Sequence, residues 1–186
     1  MEGRFRFIFE AGYEVCRVEC SEFYSHRVQN FCNGCKEMDF ILYHPKKREL
    51  WLIEVKDYQF NRRPKVPDLV DRLCCKLRDS LSLLKLAAVC APQEYPAEGI
   101  SLRDMARMSE QACKIRVAYT IELGTSGLMP PAHLLVSIRE LLYRELRFID
   151  KRMMCLPITK SGGVGPWQIA PANGARSARR SHEKNW

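Results

Sequence analysis

The chain has 186 residues, of which 46% are hydrophobic and 28% charged, with a formal net charge of +8. That length suits one domain with a proper core and excludes two of comfortable size. No segment reaches the roughly 20 apolar residues that span a bilayer. The opening MEGRFRFIFEAG lacks the ordered charged, apolar and small-residue regions of a signal peptide, so a cytoplasmic protein with no membrane partner is expected.

About half of the net charge is local. Residues 160–186 carry Lys160, Arg176, Arg179, Arg180 and Lys184 against Glu183. The body is only mildly basic, and charge alone does not assign an anionic partner. Nine cysteines is an odd number, and Cys74, Cys75, Cys90 and Cys113 stand in apolar runs. Such usage fits reduced thiols rather than a disulfide framework.

In chain order, Phe5, Phe7 and Phe9 alternate with Arg4, Arg6 and Ile8, Gly12 interrupts, and Tyr13, Val15 and Val18 follow. This predicts two short strands in a hairpin. Ser21 to Lys36 has no clean period and reads as an irregular segment. Two apolar runs, Met38 to Tyr43 and Leu50 to Val55, are joined by the polar link His44 to Glu49 and predict two strands and a turn. Pro67 is placed to begin a helix running to about Cys90, with Leu69, Leu73, Leu77, Leu81, Leu84 and Ala88 on one face and Arg72, Lys76, Asp79 and Lys85 away from it. Ser101 with Asp104 predicts the cap of a short helix. A strand over Lys114 to Leu123, a second long helix marked by Leu134, Ile138, Leu142, Leu146 and Ile149, and a last strand near Met154 to Ile158 complete a domain over residues 1–159. Residues 160–186 are rich in Gly, Pro, Ala, Ser and Arg and read as a flexible basic tail.

The chemistry concentrates between Glu37 and Tyr58. Side chains alternate along a strand, so Glu54 and Lys56 share one face while Trp51, Ile53 and Val55 take the other. Asp39 lies on the preceding strand. Asp39 followed after fourteen residues by Glu54-Val55-Lys56 resembles the motif of the PD-(D/E)XK nuclease superfamily, with Met38 where that motif usually has proline. The element order agrees: a meander carrying the site, a long helix, a further strand and another helix. The resemblance implies an α/β fold of the restriction-endonuclease-like type, a mixed central sheet flanked by helices. It also implies a metal-dependent nuclease hydrolysing phosphodiester bonds of nucleic acid, with DNA the favoured partner.

Each residue type has a reason to be there. Asp39 and Glu54 offer hard oxygens suited to Mg²⁺ or Mn²⁺, and the family resemblance adds the backbone carbonyl of Val55. A divalent cation would activate water and neutralise phosphate charge. Lys56, on the Glu54 face, is placed to orient or help deprotonate the attacking water and to stabilise developing charge. Glu14, Glu19 and Glu22 are candidates for a further carboxylate, with Glu19 first among them. Gln59, Arg62, Arg63 and Lys65 follow the motif and are candidate phosphate contacts. The Gln-x-x-x-Tyr signature of exonuclease relatives is not matched, since Pro67 to Cys90 has neither residue.

Cys16, Cys20, Cys32 and Cys35 raise a zinc reading. Placing Cys16 and Cys20 on one strand sets them about 13 Å apart, so zinc is not expected. His26 and His44 read as loop residues. The alternative to a nuclease is a non-catalytic nucleic-acid or protein-interaction module on the same fold, in which Glu54 and Lys56 are a same-face ion pair of under about 1 kcal/mol. A homodimer or a partner protein is compatible with either.

Overall fold

The computed structural model describes residues 4–31, 34–60, 65–125 and 130–171. The strands and helices are β1 (Phe5–Phe9), β2 (Glu14–Cys16), β3 (Phe40–His44), β4 (Glu49–Tyr58), α1 (Val66–Cys90), α2 (Leu102–Ser109), β5 (Lys114–Leu123), α3 (Pro131–Leu146), β6 (Met154–Leu156), α4 (Ile158–Ser161) and β7 (Trp167–Pro171). Among the described residues no helix is long and apolar enough to cross a membrane.

Five strands form a mixed sheet in the order β2-β3-β4-β5-β6. β2, β3 and β4 are antiparallel neighbours, and β4–β5 and β5–β6 are parallel. Parallel neighbours need a crossover, which α1 with α2 supplies between β4 and β5 and α3 between β5 and β6. The polar link His44 to Glu49 turns the chain from β3 into β4, with Phe40 opposite Ile53 and His44 opposite Glu49. His44 is thus a strand residue rather than a loop residue, and its ring meets Tyr13 edge-on at 4.7 Å.

Both faces of the sheet are covered. On one face Ile41, Tyr43, Leu50, Leu52, Tyr119 and Ile121 pack with the apolar sides of α1, α2 and α3. On the other, Phe40, Leu42, Trp51, Ile53, Val55 and Ala118 pack with Phe7, Ile158 and Trp167. The flanking layers therefore differ: long helices on one side, a β1–β7 ribbon and the short α4 on the other. The Ser101 hydroxyl accepts from the Asp104 amide at 3.0 Å, the cap that the sequence predicts for α2.

The predicted hairpin of β1 with β2 does not form. β1 pairs with β7 and β2 with β3, because Phe7 and Phe9 find their apolar partners on Phe40, with Trp167 also against Phe7. The boundary at residue 159 is corrected for the same reason. Residues 160–171 are part of the fold: β7 is ladder-bonded to β1, and Trp167 is fully buried, edge-on to Trp51 at 5.7 Å. Residues 172–186, the rest of the expected tail, lie outside the described residues. The segment read as irregular, Ser21 to Lys36, follows a 3-10 turn over Val18–Cys20 and contains a π-helical turn over Tyr24–Val28 that includes His26.

Candidate active site

β3 begins at Phe40, opposite Ile53, while the antiparallel β4 runs on to Tyr58, so the amide of Val55 reaches past the first residue of its neighbour. A buried amide needs an acceptor. Asp39 provides it: Oδ2 accepts from Val55 N at 2.6 Å. That bond locks the side chain of Asp39 beside the Glu54-Val55-Lys56 triplet. The chain entering β3 is in turn tied to α1, since Met38 N donates to Ser80 Oγ at 2.7 Å and Lys36 N to Asp79 Oδ2 at 3.2 Å.

Glu54 lies on the helix-facing side of β4 and its side chain is 0% exposed. Lys56 Nζ stands 2.5 Å from Glu54 Oε1, and it also donates to the Val55 carbonyl at 3.3 Å. Lys76, from α1, places its ammonium 2.7 Å from Glu54 Oε1 and 3.8 Å from Asp39 Oδ1. The structure thus brings together Asp39, Glu54 and Lys56, as the motif predicts, and adds Lys76. The Glu54 backbone carbonyl accepts from Thr120 Oγ1 at 3.2 Å on the neighbouring parallel strand.

The electrostatics of the two partners run the same way on paper but mean different things. Burial, then the Asp39 charge, pushes the Glu54 carboxyl up to about 7, against the pull of Lys56 and Lys76. Burial alone would lower Lys56, but Glu54 and Asp39 outweigh it and raise its pKa. Lys56 is therefore a firm ammonium, while Glu54 sits near the midpoint of its titration at neutral pH. Glu54 Oε1 takes both ammonium groups, Lys56 at 2.5 Å and Lys76 at 2.7 Å, while Oε2 accepts no hydrogen bond among the described residues.

A second buried carboxylate shows the contrast. Asp150 accepts from Arg116 Nη1 at 3.1 Å, Val117 N at 3.0 Å and Arg152 N at 2.9 Å. It is satisfied by the fold and has a structural role. Buried polar groups are ordinarily paired in this way, whereas Glu54 is offset by two ammonium groups at Oε1 with no hydrogen bond to Oε2.

The donor set fits a hard divalent cation. Asp39 Oδ1, the Glu54 carboxylate and the Val55 carbonyl are oxygen donors on adjacent backbone positions. Among the described residues no group of three or more His, Cys, Asp or Glu side chains is placed to hold a metal ion. A cation here would rely on two carboxylates, a carbonyl and water or substrate oxygens, which is the habit of Mg²⁺ rather than of zinc.

Other predicted residues stand apart. Glu19 is half exposed and pairs with Arg17 rather than with Asp39 or Glu54. Glu14 lies on β2 opposite Tyr43, and Glu22 is exposed. Gln59 is exposed at the end of β4 and accepts from Arg4. Lys65 is exposed just before α1, and Arg62 and Arg63 lie outside the described residues. Cys16 and Cys20 do not share a strand, because the chain tightens into the 3-10 turn after Cys16. Cys16 is buried and Cys20 exposed, Cys35 is partly buried, and Cys32 lies outside the described residues.

The apolar stripe read from the sequence leaves Lys76 off it, yet a second pattern in α1 includes it. Leu69, Leu73, Lys76, Ser80, Leu83 and Ala87 follow alternating steps of four and three, the spacing of a helix seam. Every member except Lys76 is buried, and its side chain is only 17% exposed. Ser80 and Lys76 are the polar members of that seam, and both serve the β3–β4 hairpin.

Comparison of the chain with protein-family models, with curated proteins and with solved structures finds no match.

Proposed function

We infer that the chain is a metal-dependent nuclease of the PD-(D/E)XK type on a restriction-endonuclease-like fold, hydrolysing phosphodiester bonds of nucleic acid, with DNA as the first substrate to test. The observation that carries this reading is the convergence of Asp39 and Glu54, with Lys56, on one point beside the Val55 carbonyl, with the Glu54 carboxylate fully buried. The antiparallel meander β2-β3-β4, the long α1 and the parallel β5 support it. So does the place of the site near the carboxyl end of β4, since ligands of open α/β sheets gather at strand carboxyl ends.

Asp39, Glu54 and the Val55 carbonyl would hold Mg²⁺ or Mn²⁺. When bound, such a cation supplies an activated water and neutralises charge on the phosphate. Asp39 is oriented by its bond from Val55 N, which leaves Oδ1 free of that bond. Glu54 is held in place by β4 and its neighbours on both faces. Lys56 is an ammonium beside two carboxylates, which suits it to orient water and stabilise developing negative charge rather than to accept a proton.

The test is cleavage of supercoiled plasmid, single-stranded DNA and RNA by the full chain with Mg²⁺ or Mn²⁺. Cleavage of at least one substrate, stopped by chelator and lost in Asp39→Ala and Lys56→Ala, is expected. Every substrate left intact with either metal overturns the reading. One observation favours the non-catalytic module instead: two ammonium groups already offset the two carboxylates, and Glu54 is closed from solvent. Gel-shift binding to the same substrates without cleavage is the result that selects it.

A further inference from the structure

Lys76 occupies a position that neither the motif nor its chemistry calls for. It is the ammonium that meets both carboxylates, at 2.7 Å from Glu54 Oε1 and 3.8 Å from Asp39 Oδ1. Lys56, by contrast, is divided between Glu54 and the Val55 carbonyl. The placement of Lys76 is built in. It lies one turn before Ser80, whose hydroxyl holds Met38 N, and just before Asp79, whose carboxylate holds Lys36 N. α1 is docked on the strand that carries Asp39, so its seam delivers Lys76 to that point.

A divalent cation held by Asp39 and Glu54 would lie against oxygens of both carboxylates. That is the space between the two carboxylates into which Lys76 projects. Two cations in so small a volume repel, and the divalent one has the stronger field. We propose that Lys76 is a resident counter-ion of this site, which holds Asp39 and Glu54 together and must swing outward for a divalent cation to bind. The inference rests on the nuclease reading for the cation's place. It goes beyond that reading by making Lys76 a competitor that sets metal affinity. The flexible four-carbon stem of a lysine lets its ammonium move outward.

The experiment is Mn²⁺ binding to the full chain by calorimetry and electron paramagnetic resonance, counting only binding that Asp39→Ala abolishes. Lys76→Gln keeps most of the stem and removes the charge, and is expected to bind Mn²⁺ about tenfold tighter than wild type. Lys76→Arg keeps the charge and is expected to show no gain. A second readout needs no variant: acetylation of Lys76 in the wild-type chain, followed by mass spectrometry, is expected to rise several-fold when Mn²⁺ is added. Wild-type binding with no gain in Lys76→Gln, or with Lys76 labelling unchanged by Mn²⁺, overturns the inference and leaves the nuclease reading standing. No Asp39-dependent binding in any variant overturns both.

Discussion

The amide of Val55 donates to Oδ2 of Asp39 across 2.6 Å, so the residue proposed as a metal ligand also completes the backbone pairing of β4. The two roles separate by substitution. Asp39→Ala leaves the Val55 amide without that acceptor and should cost about 1–3 kcal/mol of stability. Asp39→Asn retains a carbonyl oxygen for the amide and should cost less than half as much, yet should be as inactive as the alanine variant. Urea unfolding and a plasmid-nicking assay on the three proteins check the pair of outcomes. Equal stability of Asp39→Ala and wild type would show that the bond contributes nothing.

Glu54 makes stability pH-dependent in the chelated protein. Its carboxyl is raised from 4.5 to about 7 by burial and then by Asp39. Between those values the folded chain binds the proton that the unfolded chain has released, so stability falls as pH rises through this window. The loss is about 3 kcal/mol as an order of magnitude. The difference in unfolding free energy between wild type and Glu54→Gln, measured from pH 4 to 8, should therefore shift against wild type with rising pH. A difference that stays flat would contradict the raised carboxyl.

Trp167 should be among the most costly residues to truncate. It is fully buried against Trp51 and Phe7, and its Nε1 donates to Ser161 Oγ at 3.2 Å. Trp167→Ala should destabilise by about 3–5 kcal/mol, and ending the chain at residue 159 should expose Trp51, Phe40 and Phe7 and cause aggregation. Thermal melting and light scattering test this. A truncated chain as stable and monodisperse as the full one would return the boundary to residue 159.

Thiol reactivity should follow burial. Cys16 and Cys155 are buried, and burial pushes each thiol up to about 12. Cys20, Cys90 and Cys113 are exposed. Since the thiolate is the reactive form, iodoacetamide at pH 8 should label the exposed three in the native protein and reach Cys16 and Cys155 only after unfolding. Peptide mapping reads the order, and early modification of Cys16 would contradict its place on β2.

The site was legible where its determinants are local. Asp39, Glu54 and Lys56 lie on consecutive strands, and the two-residue alternation that puts Glu54 and Lys56 on one face is a property of the backbone. The span of β5 and the start and end of α1 were legible for similar reasons, through a β-rich run, a proline near the first turn and a long apolar period. Lys76 was not, because Leu77 and Leu81 continue a plausible apolar stripe one residue away and a helix period alone does not say which of two adjacent seams faces the sheet. The tail boundary failed differently. Trp167 stands among glycines and prolines, and the energy that orders it comes from Trp51 and Phe7, more than a hundred residues earlier.

The sequence by itself determined the hairpin, the motif upon it and the α/β class, since periodicity and turn chemistry act over a few residues. Only the tertiary structure decided that Glu54 is closed from solvent, that Lys76 meets both carboxylates and that β1 pairs with β7. Those facts depend on which distant surfaces are brought together, and burial and charge exist only once they meet.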